Sequence, residues 1–477
     1  MEELISHASG VQARPLQHAI ALLSAGWQEF DDLVRTTTAP RRDIEELLTA
    51  LGADIEHAGT TVRLRPESTQ RYRELAGGPA EPASDLLATM TKYVREVPPP
   101  LPALDHVQAT PQTVVDRARW LDEQYDLRTA RLTFVGDHDL TSLAVRRLRP
   151  EAQLTVVDVD DRILEYLDRL SGRTIHTVHA DLRFGLPLAV AGNADVVFSD
   201  PPYTADGMGL FAARGIECLA DPPNGRLLLA YGYSPRHPAL GHQVQRALLG
   251  LGLTFEAILP GFHRYAGAQA IGSAADLYVC QPTARARKGR KGKEKQTIYT
   301  HGPQSVEARE TPTALREALV AIAAEGGRTV EVQGPDWTRP RTAPADTAVA
   351  LDLSADPGPW LVRVLLAVNA ERVALLVPNS HPDLGNAAAQ QALHGLLGEK
   401  YRLRLLRSTP DNKHAVVVAD AVPAGNAAVH AVWTRAHGRI GNLVPDAPGD
   451  IADLRLIDLP RHRIAEIRKQ LTGEQGV

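Results

Sequence analysis

Short helical periodicities run through residues 15–23, 27–34 and 41–51, with breaks at Gly26 and across residues 36–40, and they predict three short helices. Residues 54–65 set Ile55, Val62 and Leu64 about Gly59, the pattern of a small hairpin. Three helices and a hairpin make a winged-helix-like module over residues 1–75. Its third helix, Arg41-Arg42-Asp43-Ile44-Glu45-Glu46-Leu47-Leu48, carries at least as many acids as bases, which favours packing or dimerisation over DNA binding. A homodimer is the expected assembly.

A helix near residues 84–94 and the run Pro98-Pro99-Pro100-Leu101-Pro102, a semi-rigid spacer, make residues 76–106 a helix and Pro-rich linker. Over residues 107–282, apolar strand patterns at 131–135, 154–157, 174–179, 195–198, 226–230, 255–259 and 276–280 alternate with helical stretches. That alternation predicts a doubly wound α/β sheet. Residues 285–295 hold seven Lys or Arg, one acid (Glu294) and no apolar residue larger than alanine, so residues 283–300 read as a flexible basic linker.

Over residues 301–477, apolar runs at 348–354, 372–378, 401–406 and 414–418 repeat the order found over 195–280: strand, helix, strand, helix, two closing strands. Gln390-Gln391-Ala392-Leu393-His394-Gly395-Leu396-Leu397 echoes Gln243-Val244-Gln245-Arg246-Ala247-Leu248-Leu249. The expectation is a C-terminal α/β domain that is a degenerate half-copy of the first, with an unrelated α/β domain as the alternative. It has no glycine-acid loop and no Asp-Pro-Pro-Tyr, and reads as non-catalytic.

The 477 residues suggest two to four domains. No apolar run approaches the roughly 20 residues of a membrane span, and the N-terminus lacks a signal-peptide pattern, so a cytoplasmic protein without a membrane partner is expected. Cys218 and Cys280 lie far apart and lack partners at metal-ligand spacing; they read as reduced packing residues, and no metal is expected. Charge is divided: residues 1–280 carry 36 acids and 26 bases, net −10, and residues 281–477 carry 21 and 26, net +5. The acidic half favours a cationic substrate over a nucleic acid.

The chemistry concentrates at strand ends. Val135-Gly136-Asp137-His138-Asp139 follows the first α/β strand, and Gly136 lets the backbone approach a ligand. Asp158, 22 residues after Gly136, ends the second strand, where an acid holds ribose hydroxyls; Asp160 follows it. Asp181 ends the third strand, at a position suited to an adenine amino group. Asp200-Pro201-Pro202-Tyr203 closes the strand 195–198; its carbonyls, carboxylate and ring suit an amine nucleophile. A dinucleotide enzyme would want Gly-x-Gly-x-x-Gly, which is absent. The order resembles the Rossmann-like class I sheet of S-adenosylmethionine-type transferases.

A closer resemblance rests on Gly136-Asp137-His138-Asp139-Leu140-Thr141-Ser142-Leu143, Val157-Asp158-Val159-Asp160-Asp161-Arg162, Ala180-Asp181-Leu182-Arg183, and Asp200-Pro201-Pro202-Tyr203-Thr204 with Phe211-Ala212-Ala213-Arg214-Gly215-Ile216. These segments resemble the branched-chain polyamine synthases, or N4-bis(aminopropyl)spermidine synthases, over roughly residues 10–282. The resemblance implies aminopropyl transfer from decarboxylated S-adenosylmethionine to the internal amine of spermidine, releasing methylthioadenosine. The chain departs from the family at His138, where the pattern is Gly-Asp-Asp-Asp, and at Tyr203, where some members have Glu.

Whatever the donor, a sulfonium carbon needs no acid catalysis, because the thioether leaves neutral; the site must desolvate, deprotonate and align the amine. Asp200 is the candidate for the amine proton, and Asp137 and Asp139 for drawing in ammonium groups. Tyr203 is a candidate cation–π wall worth about 0.5–2 kcal/mol. Pro201, His138 and Asp206 complete the substrate side, and Tyr265 and His263 either line it or lie on a loop surface. For Asp137, Asp139 and Asp206 the alternative is helix-start capping. Two rival functions remain open: an S-adenosylmethionine-dependent amino-group methyltransferase on nucleic acid, and a non-catalytic ligand sensor.

Overall fold

The computed structural model describes residues 10–72, 77–81, 83–286, 298–299, 311–423 and 425–473. The basic run expected over 285–295 lies outside the described residues from 287 onward. Among the described residues, no helix is long and apolar enough to cross a membrane.

Near the N-terminus, α1 (Ala13–Ala25), β1 (Gln28–Glu29), α2 (Phe30–Thr37), α3 (Arg41–Leu51), β2 (Ile55–Ala58) and β3 (Thr61–Leu64) follow in order. The strands form an antiparallel sheet in the order β1-β3-β2. Leu16, Ile20 and Leu23, one helical face of α1, are buried with Leu33, Leu47 and Val62. Next, α4 (Leu86–Glu96) packs on α5 (Pro111–Gln124), whose N-terminus is capped by the Thr110 hydroxyl and opened by Pro111.

The main sheet is built from β4 (Arg131–Val135), α6 (Thr141–Leu148), β5 (Gln153–Asp158), α7 (Asp161–Ser171), β6 (His176–His179), β7 (Val196–Ser199), α8 (Ala205–Cys218), β8 (Arg226–Tyr231), α9 (Pro238–Gly250), β9 (Leu253–Arg264) and β10 (Ala274–Pro282). The strand order is β6-β5-β4-β7-β8-β10-β9. The first five are parallel; β10 runs antiparallel to both β8 and β9. Every residue of β7 and β8 is buried, as strands covered on both faces require. The expected strand at 255–259 extends to Leu253–Arg264 because β9 is an edge strand that follows β10 through two register shifts, and its length is set by that partner rather than by apolar alternation. Strand order reverses at β4, so the crevice beyond the carboxyl ends of β5, β4 and β7 is the place for a ligand.

The C-terminal portion contains α10 (Thr313–Ala323), β11 (Thr329–Gln333), β12 (Arg341–Thr342), β13 (Thr347–Asp352), α11 (Trp360–Ala367), β14 (Val368–Asn369), β15 (Arg372–Pro378), α12 (Ala387–Leu397), β16 (Tyr401–Leu406), β17 (His414–Ala421) and, after further short helices, α13 (Arg461–Thr472). Its sheet runs β11-β13-β15-β17-β16, with the first three parallel and β17 antiparallel to both neighbours. This order and these directions repeat β4-β7-β8-β10-β9. The echoing segments 243–249 and 390–397 fall in α9 and α12, each the helix before the closing strand pair. Counterparts of β5 and β6 are absent from this sheet among the described residues.

The second sheet's flank packs on the first at α7 and β6. Fully buried Arg363 of α11 donates from Nη2 to Asp161 Oδ1 (2.7 Å) and from Nε to His179 Nδ1 (3.0 Å). Trp337 and Trp360 pack against Phe184 at centroid distances of 4.7 and 6.1 Å.

Candidate active site

A cavity of about 540 Å³ opens at the reversal point. Gly136 leaves β4 with φ 78°, a conformation that only glycine adopts without cost, and its N–H donates to Val157 O. The turn brings the Asp137 N–H to Asp158 Oδ2 (3.0 Å), while the Asp160 N–H reaches Asp158 Oδ1 (2.8 Å). Each carboxylate oxygen keeps a second lone pair, which suits Asp158 to ribose hydroxyls. Burial pushes its carboxyl above the usual carboxylate range.

Asp160 and Asp181 share one local device. Arg162 donates from Nε to Asp160 Oδ1 (2.9 Å) and from Nη2 to Oδ2 (2.6 Å); Arg183 does the same to Asp181, at 3.0 and 2.6 Å. Burial alone would raise both acids, yet these bidentate pairs hold both below their ordinary value. Asp181 and Leu182 line the cavity beside the Gly136 loop.

Asp137 takes the capping role rather than presenting a bare carboxylate. Its Oδ1 accepts from the Thr141 N–H (2.9 Å) and Oδ2 from the Ser142 N–H (3.1 Å), at the start of α6. Burial pushes it up to about 8 despite those bonds. Asp139 is also engaged: Oδ1 accepts from the Ala109 N–H (2.6 Å) and Oδ2 from Arg117 Nη1 (2.8 Å). The expectation that these two acids draw in ammonium groups therefore meets carboxylates already bound to protein donors. Asp206 is exposed in the first turn of α8 and does not line the cavity, so its expected contact with substrate is not supported; an acid there complements the helix dipole.

Asp200 stands at the centre. Arg117 Nη2 and the Tyr265 hydroxyl each donate to its Oδ2 at 2.7 Å, and the Tyr203 hydroxyl donates to Oδ1 at 3.0 Å. The two phenols are themselves 2.8 Å apart. Each phenol has one proton, so Tyr203 and Tyr265 fill at most two of the three O···O contacts at a time while Asp200 is ionised. Burial raises Asp200 to about 6, Arg117 opposing and Asp139 adding to the rise. Pro201 and Tyr203 line the cavity beside it.

Arg117, unremarked in the sequence, is fully buried. Besides Asp139 and Asp200 it donates from Nε to His263 Nδ1 (3.1 Å), fixing that imidazole as a neutral acceptor; burial and Arg117 itself hold His263 well below its ordinary value. A clue was available: Arg117 falls on the face of α5 that also carries Val114 and Leu121, where a charge needs partners. Tyr265 and His263, left open between pocket and surface, are both buried at the site.

His138 stacks on His106 with centroids 4.6 Å apart. Neither His138 nitrogen, nor His106 Nδ1, has a hydrogen-bond partner among the described residues, and burial lowers both imidazoles to about 4. With Asp160 they form a group whose ligand atoms lie within 4.8 Å of one another, the arrangement able to hold a cation, although Arg162 already occupies both Asp160 oxygens. Away from β5 and β6, Tyr231, Tyr233, Leu240 and Ile271 complete the wall.

A glycine turn after β4, acids at the ends of β5 and β6 and an Asp-Pro-Pro-Tyr rim on β7 thus meet at one cavity. Residues 85–298 match the model of the branched-chain polyamine synthase A C-terminal domain. An uncharacterised protein of Methanocaldococcus jannaschii is 36% identical over 190 residues, 39% of this chain and 48% of that one. N(4)-bis(aminopropyl)spermidine synthase of Thermococcus kodakarensis is 29% identical over 189 residues, 38% and 53% of the two chains. The chain thus spans about half the length of the curated relatives it matches. A crystal structure of the Thermus thermophilus branched-chain polyamine synthase, with N4-aminopropylspermidine and 5'-methylthioadenosine, covers 63% of this chain and 98% of its own at 19% identity and a TM-score of 0.41, a likeness that carries no argument.

Proposed function

We propose that this chain is an aminopropyltransferase that moves the aminopropyl group of decarboxylated S-adenosylmethionine onto an amine nitrogen. The observation that carries this reading is Asp200, held between Arg117 and two tyrosines in the cavity that Asp158 and Asp181 also line. Asp158 takes the donor ribose and Asp181 the adenine amino group. The amine lone pair forms the new N–C bond as the S–C bond breaks; that electron pair stays on sulfur, methylthioadenosine leaves neutral, and the amine proton passes to ionised Asp200. The names of the curated relatives support this chemistry and make the internal amine of spermidine the first acceptor to try.

The three N-terminal helices and their small sheet we read as a winged-helix module that serves packing or dimerisation. The C-terminal sheet we read as a non-catalytic half-copy of the catalytic one, and the protein as cytoplasmic.

Mass spectrometry of amines incubated with the full chain and either S-adenosylmethionine or its decarboxylated form tests the function. Aminopropyl addition with the decarboxylated donor alone, lost in Asp200→Ala, is the expected result. Methyl addition, or no transfer to any amine, overturns it.

A further inference from the structure

Two residues of the cavity wall come from outside the catalytic sheet. Ile298 and Tyr299 lie beyond β10, on the way to the second sheet, and both line the cavity. The start of α8 seats them. The Thr204 hydroxyl, which caps α8 by accepting from the Gly207 N–H at 2.9 Å, donates to the Ile298 carbonyl at 2.7 Å. Gly207 makes that approach possible, since a Cβ there would stand 2.6 Å from the same carbonyl oxygen. Ile298 is buried against this seat, next to the Asp-Pro-Pro-Tyr rim.

The second sheet reaches the same end of the cavity through Arg183. While Nε and Nη2 of Arg183 hold Asp181, its guanidinium lies 4.9 Å from the centroid of Trp360 and 5.4 Å from that of Tyr299. A guanidinium that donates in its own plane to a carboxylate leaves its faces for aromatic rings. Trp360 is itself fixed. It is the first residue of α11, its N–H donates to Asp356 Oδ1 at 3.1 Å, and its buried ring packs on Phe184 and on Trp337 at 6.1 and 6.2 Å. Trp337 and Trp360 both lie beyond the residues that match the family domain.

From these contacts we infer that the second sheet serves the donor side of the cavity. Trp360 is a positioning residue that holds Arg183, and through it Asp181, in place for the donor's adenine. Tyr299 adds an aromatic wall at that same end. An arginine fixed by rings on folding has lost its side-chain freedom before the donor arrives, so binding no longer bears that loss. Without the Trp360 ring, Arg183 is free to turn to water, and Asp181 meets the adenine amino group from a carboxylate that is no longer held. The inference rests on the aminopropyl transfer proposed above, in which Asp181 takes the adenine amino group. It gives the second sheet a part in binding while leaving it non-catalytic.

Calorimetric titration of the full chain with methylthioadenosine, together with steady-state kinetics in decarboxylated S-adenosylmethionine and spermidine, tests it. Trp360→Ala should weaken methylthioadenosine and raise the donor KM by about fivefold to tenfold, the worth of a partly desolvated cation–π pair, with kcat and the spermidine KM within about twofold. Trp360→Phe, which keeps a ring for Arg183, should recover most of the affinity. Tyr299→Ala, at a half-buried position, should raise the donor KM by at least about threefold, and it decides the matter where Trp360→Ala does not fold. Full methylthioadenosine affinity in folded Trp360→Ala, or in Tyr299→Ala where the former does not fold, overturns the inference and leaves the transferase reading standing. A loss that falls equally on donor and acceptor does the same. No methylthioadenosine binding by the unaltered chain, together with no transfer to any amine, overturns both.

Discussion

Arg117 Nη2 lies 2.7 Å from Asp200 Oδ2, and the same guanidinium lies 2.8 Å from Asp139 Oδ2 through its other terminal nitrogen. One buried cation thus joins the strand-end loop of β4 to that of β7. The pairing sets the first expectation. Arg117→Ala strips two buried carboxylates of the cation they share and should cost about 3–5 kcal/mol of unfolding free energy, read as a fall in the urea midpoint. Arg117→Lys should lose less, because one ammonium can face the acids but cannot also donate to His263 as Nε does. An unchanged midpoint in Arg117→Ala would show the pair to be incidental.

A second expectation concerns pH. With Asp200 raised to about 6, the group is protonated below that value and cannot take the amine proton; above it, it is ionised and can. The Asp200 limb of kcat/KM should therefore rise through about pH 6 and level off, with the amine's own deprotonation adding a separate, more alkaline limb. Arg117 opposes the rise in Asp200, so Arg117→Gln should move the Asp200 limb to higher pH. A limb that stays in place in Arg117→Gln would assign the titration to another group.

The proposed donor side has its own test. Asp181→Ala should weaken methylthioadenosine by about tenfold to a hundredfold, the worth of a charge-assisted hydrogen bond, in a calorimetric titration. Asp206→Ala, at an exposed helix start away from the cavity, should change that affinity by less than about twofold, as surface substitutions do. The reverse order of effects would reassign the donor pocket.

The contact between the two sheets is the fourth case. Arg363 is fully buried between Asp161 and His179, and Arg363→Ala should destabilise the chain by about 3–5 kcal/mol, since it leaves Asp161 without that partner. Differential scanning calorimetry reads it; a variant with unaltered thermal unfolding would mean that the two sheets do not unfold together.

Legibility in the sequence followed distance along the chain. Asp158, Asp181 and Asp200 could be found because each sits at the end of its own apolar strand, where a local pattern is enough. The order of β13, β15, β16 and β17 is legible for the same reason, as a repeated order of apolar runs, whereas β11 is not, because its largely exposed Thr329–Gln333 carries no apolar run. Arg117 and His106 were not, because they reach the site only when α5 and the loop before it fold against β9. Tyr231 and Tyr233 were hidden too: tyrosines at a strand end look like packing until the neighbouring strands define a cavity. Asp137 and Asp139 were identified as residues of the site, but their hydrogen bonds turn inward, and only the folded amides of α6 and the guanidinium of Arg117 decide that.

The repeated strand order leaves the chain with an unequal pair of sheet borders. In the first sheet β4 is flanked by β5 and shielded on both sides; its counterpart β11 stands at the border of the second sheet, with Val332 63% exposed. An open border with an exposed branched side chain is a template for pairing with another chain, and Glu331, a charge on the same short strand, blunts it. The open border of the second sheet is therefore an aggregation hazard, and replacing Glu331 by an apolar residue should reveal it as concentration-dependent association with every cavity residue untouched.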